Sequence, residues 1–397
     1  MDDISVLICD DSALMRNLIG RIIEDVDGFK IAAKAENGLD LLEKIPQCKP
    51  DVILLDIEMP KMNGVEFLKK RRDLKIDIPV IILSSVATEG ASVTMECLSL
   101  GAADFITKPG SASVTLKIGD VSSDIIEKVS SYGRAQALMH GKNVPDSEFF
   151  VHQSKMKEAQ KLIAQKKGEE AAKKAAEGVK DLFPTATWTP PKQKEPAVIK
   201  PLREPGKIEI IAIGISTGGP NALREVFKDL DKNIKQPVIV VQHMPAGFTE
   251  EFARSLDGIC PLTVTEAKNG EALMPGHIYI APGGHHMFVE HHALSNIIRI
   301  NEEEPRNGHR PSVDVMFESV AKLYQNRALG IIMTGMGRDG AAQITEMRKE
   351  GAWTLGQDAA SSIVYGMPKI AYEMGGVQKQ VPLSKMAAAI NELALNH

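Results

Sequence analysis

The stretch Ile208–Leu230, IEIIAIGISTGGPNALREVFKDL, decides how the C-terminal half of the chain folds. An apolar run, IEIIAIG, leads into the glycine-flanked serine of Gly214-Ile215-Ser216-Thr217-Gly218, and PNALREVFKDL then takes up helical periodicity. The order is strand, tight turn, helix. Glycines on both sides permit a strained turn that lifts the Ser216 oxygen off the sheet edge. The following helix N-terminus offers N–H groups, Thr217 among the backbone donors, to a developing oxyanion. This pattern suggests a nucleophilic serine, but a glycine-rich phosphate loop or a plain strand-helix turn has the same appearance, so partners must decide.

Working outward, PVIVVQ runs directly into His243, and ALGIIMTG runs into GMGRDGA, where Asp339 begins the next helix. Parallel strands would bring Ser216, His243 and Asp339 into one crevice at their carboxyl ends. There the imidazole could take the serine proton while a carboxylate orients it, and the Met336 backbone N–H could complete an oxyanion hole. The chain order Ser, His, Asp differs from that of α/β-hydrolases, in which the histidine comes last. Asp358 in LGQDAASS also follows a strand, and spacing leaves it tied with Asp339. The pairs His285-His286 and His291-His292 flank a predicted hairpin at MFVE, without carboxylate or cysteine at ligand spacing, and read as turn residues. Arg306, His309 and Arg310 either receive an acidic substrate or solvate a loop; the sequence favours neither.

The N-terminal half alternates apolar runs (SVLIC, FKIAAKA, DVILLD, PVIILSS, ADFIT) with amphipathic stretches such as LMRNLIGRIIED, which predicts a five-stranded parallel α/β sheet. Asp10 and Asp11, Asp56, Ser84 and Lys108 each fall at a strand's carboxyl end. Three converging carboxylates need a cation, and hard oxygen ligands suit Mg²⁺. Asp56, on the central strand, is placed to attack phosphorus, with Ser84 and Lys108 holding the phosphate oxygens. Singly, each residue reads equally as a cap or turn; Asp11, for instance, could cap the helix beginning at SALMRN. Five in order over one sheet argue for a site.

At 397 residues with 43% apolar content, the chain suffices for two domains and a connector. A net charge of −5 gives no global attraction to nucleic acid or anionic lipid. The 4 cysteines are scattered without metal-like spacing, as in a reducing compartment. MDDISVLICDDS lacks the order of a secretory leader, and no apolar run nears the roughly 20 residues of a membrane span. A cytoplasmic protein without membrane insertion is expected. SKMKEAQKLIAQKKGEEAAKKAAEGVK predicts a solvated helix and TPPKQKEPAVIKPLREPG an extended spacer. The expected domains are 1–135, a linker over 136–206, and 207–397.

About the first 110 residues resemble the receiver domain of bacterial two-component response regulators. The resemblance implies a flavodoxin-like fold with Asp56 as phospho-acceptor, Asp10 and Asp11 as metal ligands, and Ser84, Phe105 and Lys108 as the phosphoryl switch. From 207 on, GISTGGP, VVQHMPAGFTEEFA, PGHIYIAPGGHHM, HRPSVDVMF, TGMGRDGA, GAWTLGQDAASSIVYGMP and MGGV resemble the chemotaxis-specific protein-glutamate methylesterases. That likeness implies a Rossmann-like α/β domain, so two doubly wound parallel-sheet domains in all. It also implies a Ser216, His243, Asp339 triad, which breaks the tie with Asp358, and no cofactor for ester hydrolysis. Further implications are methyl-accepting chemoreceptors as substrates, deamidation of receptor glutamines, and a chemotaxis histidine kinase as phosphodonor. Two rivals stand beside it: a nucleotide-binding module with GISTGGP as phosphate cradle, and a non-enzymatic docking domain. The first lacks an acidic residue at the end of the next strand, where Gln242 and His243 stand.

Overall fold

The computed structural model describes residues 1–85, 88–108, 118–147, 149–151, 153, 154, 157, 195–293 and 295–397. They fall into two compact units, 1–85 with 99–157, and 195–397 with 88–98.

The first sheet has five parallel strands in the order β2-β1-β3-β4-β5, with β1 at Ile4–Cys9, β2 at Phe29–Ala35, β3 at Val52–Asp56, β4 at Val80–Ser84 and β5 at Asp104–Thr107. All but β2 are buried along their whole length, which is why they appear in the sequence as unbroken apolar runs: helices cover both faces. Helices α1 (Ala13–Glu24), α2 (Gly38–Cys48), α3 (Gly64–Asp73) and α4 (Thr88–Ser99) make the four crossovers, and α5 (Ile118–Met139) follows β5. Ser12, not Asp11, caps α1, its hydroxyl accepting from the Met15 N–H. That leaves the Asp11 carboxylate to the sheet's crevice.

Helix α5 runs past the expected boundary at 135, and the chain after it stays with the first unit. Lys142 Nζ lies 2.6 Å from the buried Asp51, the Asn143 N–H donates to Asp2, and the fully buried Phe150 stacks on Phe29 with centroids 4.6 Å apart. At the other end, residues 197–206 join the second unit through backbone bonds from Ala197, Leu202 and Gly206 to Glu373, Lys349 and Asn326. Most of the expected solvated helix and the start of the proline-rich spacer lie outside the described residues.

The second unit has a seven-stranded, wholly parallel sheet in the order β14-β13-β12-β6-β7-β9-β8. These are β6 (Ile210–Ile215), β7 (Val238–Gln242), β8 (Thr263–Glu266), β9 (His277–Ile280), β12 (Ala328–Ile332), β13 (Trp353–Gln357) and β14 (Lys379–Val381). An antiparallel hairpin, β10 (His286–His292) with β11 (Ser295–Asn301), stands apart from it. The flanking helices are α6 (Gly219–Phe227), α7 (Thr249–Asp257), α8 (Val313–Tyr324), α9 (Ala341–Glu350), α10 (Met367–Glu373) and α11 (Leu383–Asn396). On α8 the buried positions 313, 316, 317, 320, 321 and 324 keep helical spacing and pack over Ile210, Ala212, Ile239 and Ile332. From β6 the chain winds first toward β7 and later, by way of β12, to the other side. The crevice between β6 and β12, at the strands' carboxyl ends, is therefore a topological switch point.

Candidate active site and phospho-acceptor pocket

Ser216 leaves the end of β6 with its N–H still bonded across the sheet to the Thr334 carbonyl at 2.9 Å. The positive φ that turns the chain into α6 falls on Gly218, at +81°, and not on Ser216. A strained serine is therefore not how the hydroxyl is presented. The first turn of α6 also gives less to an oxyanion than the sequence suggested, since the Gly219 N–H is spent on the Ser216 carbonyl at 2.7 Å and Pro220 has none. Across the crevice Gly335 comes so close that a Cβ there would lie 2.7 Å from Ser216 Cβ. Next to it the Met336 N–H, half-buried, has no acceptor among the described residues.

His243 continues β7, its N–H donating to the Ile215 carbonyl at 3.1 Å, which sets the imidazole beside the serine. His243 Nδ1 is 3.1 Å from Ser216 Oγ, and Nε2 is 2.8 Å from Asp339 Oδ2. Asp339 is buried in the loop after β12 and accepts four further hydrogen bonds. Its Oδ1 takes them from Asn307 Nδ2 (2.8 Å), Ser312 Oγ (2.7 Å) and the Asp314 N–H (3.2 Å), and its Oδ2 from the Val313 N–H at 2.7 Å. Burial alone would raise the Asp339 pKa. The hydrogen bond and charge of His243, with the bonds from Asn307 and Ser312, outweigh it and hold the carboxyl well below the usual carboxylate range. Neighbouring Asp314 goes the other way, raised by burial and by the Asp339 charge against the bonds from Asn307 and Gln343.

Asp358, tied with Asp339 on spacing, instead accepts the Ser361 N–H and hydroxyl in its own turn. His286 is not a turn residue: it is buried, accepting from the Ser312 N–H at Nδ1, with Nε2 3.1 Å from the Glu304 carbonyl. Arg306 pairs with Glu318, Arg310 donates to the Glu302 and Glu303 carbonyls, and His309 lies on the His243 ring. Four supporting residues escaped the sequence reading. Asn307 and Ser312 hold Asp339, the buried Gln242 amide donates to the Ser216 and His243 carbonyls, and Thr334 Oγ1 donates to the Thr217 carbonyl. Only Gln242 had a signal, its place at the end of an apolar strand.

In the first unit Asp10, Asp11 and Asp56 bring carboxylate oxygens within 4.8 Å of one another, the one such cluster among the described residues. Lys108 Nζ bridges Asp10 (2.9 Å) and Asp56 (2.7 Å). Burial raises the Asp56 pKa above its ordinary value; Lys108, shared with Asp10, lowers it and the Asp10 charge raises it again, and together they do not offset the burial. Burial works against the Lys108 charge, but Asp56 and Asp10 together keep its pKa up. Ser84 ends β4 with its hydroxyl donating to the Ser85 carbonyl, and Phe105 is already buried, with Lys128 Nζ 5.2 Å from its ring centroid. The crowded hard oxygens fit a Mg²⁺ ion, whose charge would relieve the excess that Lys108 alone leaves.

Residues 211–390 match the family model described as CheB methylesterase, and 6–118 match the response regulator receiver domain. A protein-glutamate methylesterase/protein-glutamine glutaminase of Treponema denticola is 53% identical over 391 residues, 98% of each chain. One of Treponema pallidum is 51% identical over 392 residues, covering 98% of this chain and 97% of its own. Among solved structures, the CheB methylesterase catalytic domain of Thermotoga maritima is 36% identical over 47% of this chain and 100% of its own, with a TM-score of 0.46.

Proposed function

This chain belongs to the protein-glutamate methylesterase/protein-glutamine glutaminase family, with a response regulator receiver domain at its N-terminus, and on that premise we propose that Ser216, His243 and Asp339 are its catalytic residues. The activity is hydrolysis of methyl esters on glutamate side chains. The observation that carries the residue assignment is the unbroken relay of 3.1 and 2.8 Å from hydroxyl to imidazole to carboxylate.

Ser216 Oγ attacks the ester carbonyl carbon while its proton passes to His243 Nδ1. Asp339, already ionised and fully bonded, stabilises the imidazolium through Nε2–H. The carbonyl oxygen gathers the charge, and the backbone N–H groups of Thr217 and Met336 are its proposed donors. Collapse breaks the C–O bond to the methoxy group, which takes the His243 proton and leaves as methanol. A water molecule then gives a proton to His243 and attacks the glutamyl ester on Ser216. The serine is regenerated and a free glutamate released. With a glutamine side chain the same steps expel ammonia.

In the receiver, Asp56 would accept the phosphoryl group, Asp10 and Asp11 with Asp56 would hold Mg²⁺, and Ser84, Phe105 and Lys108 would respond to the phosphoryl group. Bound there, Mg²⁺ would neutralise charge at the phosphorus. The proposed partners are methyl-accepting chemoreceptors as substrate and a chemotaxis histidine kinase as phosphodonor. Among the described residues no helix is long and apolar enough to cross a membrane, in keeping with a proposed cytoplasmic location. The direct test is mass spectrometry of a methylated receptor fragment incubated with the full-length chain. Methyl groups should be lost with wild type and retained with Ser216→Ala; equal loss with both would remove Ser216 as nucleophile.

A further inference from the structure

The turn Arg306-Asn307-Gly308-His309 supplies none of the three relay residues, yet it touches two of them. It is closed by paired backbone bonds, Arg306 N–H to the His309 carbonyl at 3.2 Å and His309 N–H to the Arg306 carbonyl at 3.0 Å. Asn307 and Gly308 occupy its corner with φ of 56° and 81°, the conformation a two-residue hairpin loop of this hand requires. Both shoulders are pinned, by the Arg306 ion pair with Glu318 on α8 and by Arg310 on the carbonyls of Glu302 and Glu303. From this frame Asn307 donates to Asp339 and Asp314 at 2.8 and 2.7 Å, and the His309 ring lies parallel to that of His243, centroids 3.9 Å apart and planes 12° apart.

We propose that His309 is a positioning residue for the catalytic imidazole; the proposal rests on His243 being the base. Torsion about the Cβ–Cγ bond of a histidine is soft and broad. Asp339 anchors the Nε2 edge of His243, but a ring held at one edge can still tilt and carry Nδ1 off the Ser216 hydroxyl. A flat ring packed on its face blocks that tilt and excludes water from that side. A π-face also tolerates the positive charge that His243 acquires when it takes the serine proton, which an aliphatic neighbour of equal size does not. The turn thus fixes both halves of the acid–base pair from one frame, the carboxylate through Asn307 and the imidazole through His309.

What matters under this proposal is flatness, not the ring nitrogens, and a set of full-length variants separates the two. His309→Phe and His309→Tyr keep a flat face and should hold kcat within about twofold of wild type. His309→Leu keeps the bulk and His309→Ala removes it. Both should lower kcat roughly threefold to tenfold, the range a ring stack supplies, with KM within about twofold. Labelling of Ser216 by a fluorophosphonate should follow the same order. Ser216→Ala and His243→Ala serve as controls: if they hydrolyse and label like wild type, the relay itself is wrong. If the controls are dead while His309→Phe falls as far as His309→Ala, or His309→Leu and His309→Ala match wild type, the relay stands and the positioning role does not. Circular dichroism melting keeps a misfolded variant from counting as either result.

Discussion

Replacing Asp339 by Asn tests the site at the point where its geometry is most tightly determined. The carboxylate accepts five hydrogen bonds, two at Oδ2 from His243 and the Val313 N–H, three at Oδ1 from Asn307, Ser312 and the Asp314 N–H. An amide has one acceptor oxygen. If its NH₂ faces His243, the imidazole must turn an unprotonated Nε2 toward it, which puts the proton on Nδ1 and removes the base from Ser216. If the NH₂ faces the other way, Ser312 can rotate and the Asn307 amide can flip, but the Asp314 N–H loses its acceptor and no charge remains to stabilise the imidazolium. Either way kcat should fall by on the order of 10³ to 10⁴, or about 4 to 5.5 kcal/mol in barrier. One or two buried donors left without acceptors cost about 1–3 kcal/mol each, which lowers the melting midpoint of the second unit by about 2 to 24 °C. The pH dependence has a fixed sign. Asp339 is held below its unfolded value, so the stability it contributes is present above about pH 4 and is lost as pH falls through the folded pKa. The gap in melting midpoint between wild type and Asp339→Asn should therefore be flat from pH 6 to 8 and narrow below about pH 4. Ester hydrolysis and scanning calorimetry on the full-length chain measure both. Retention of more than about a tenth of wild-type kcat, or an equal loss in Asp358→Asn, would refute the reasoning.

A small phosphodonor such as acetyl phosphate should stimulate hydrolysis by wild type, but not by Asp56→Asn and not in EDTA until Mg²⁺ is restored; stimulation of the variant equal to wild type would remove Asp56 as the switch. Phe150→Ala deletes a fully buried ring stacked on Phe29 and should destabilise the first unit by about 3–5 kcal/mol. Urea unfolding followed by hydrogen exchange in β1 and β2 reads that loss, and an unchanged midpoint would mean that the segment after α5 is no part of the first unit's core.

What the sequence revealed follows from how each segment meets its surroundings. VILLD, VIVVQ and ALGII are buried on both faces, so nothing polar interrupts them and they read as strands at once. The edge strands TVTE and KQV face solvent on one side and carry Thr, Glu, Lys and Gln over three or four residues, too short for a period of two to stand out. Ser216, His243 and Asp339 were legible because each follows an apolar strand into its carboxyl end. Asp358 followed the same rule one strand farther out, on β13, and only the contacts separate it from Asp339. Asn307 and Ser312 sit in the loop between the hairpin and α8, where no periodicity operates and a long return path decides what they touch. Phe150 was hidden in the same way, within a charged stretch whose composition suggested only a solvated connector.

The two sheets use one topological device for opposite electrostatic ends. Each gathers acidic side chains at the carboxyl ends of parallel strands beside a switch point, so burial threatens both carboxylates with protonation. At Asp339 four donors and an imidazole over-compensate the charge, and the group stays ionised: this suits its proposed role of orienting and stabilising the base, and it leaves no lone pair to spare for bond formation. At Asp56 a single backbone N–H, from Ile57, and a lysine shared with Asp10 under-compensate it, and its pKa sits high. A carboxylate left short of partners is nucleophilic and gains from a cation beside it, or from a covalent bond to an electrophile whose leaving group departs. On the proposed assignment, aspartates in like positions differ in chemistry through the number of donors that the surrounding loops can aim at them. Moving a donor toward Asp56 should silence it as an acceptor, just as taking donors from Asp339 should unseat the base it serves.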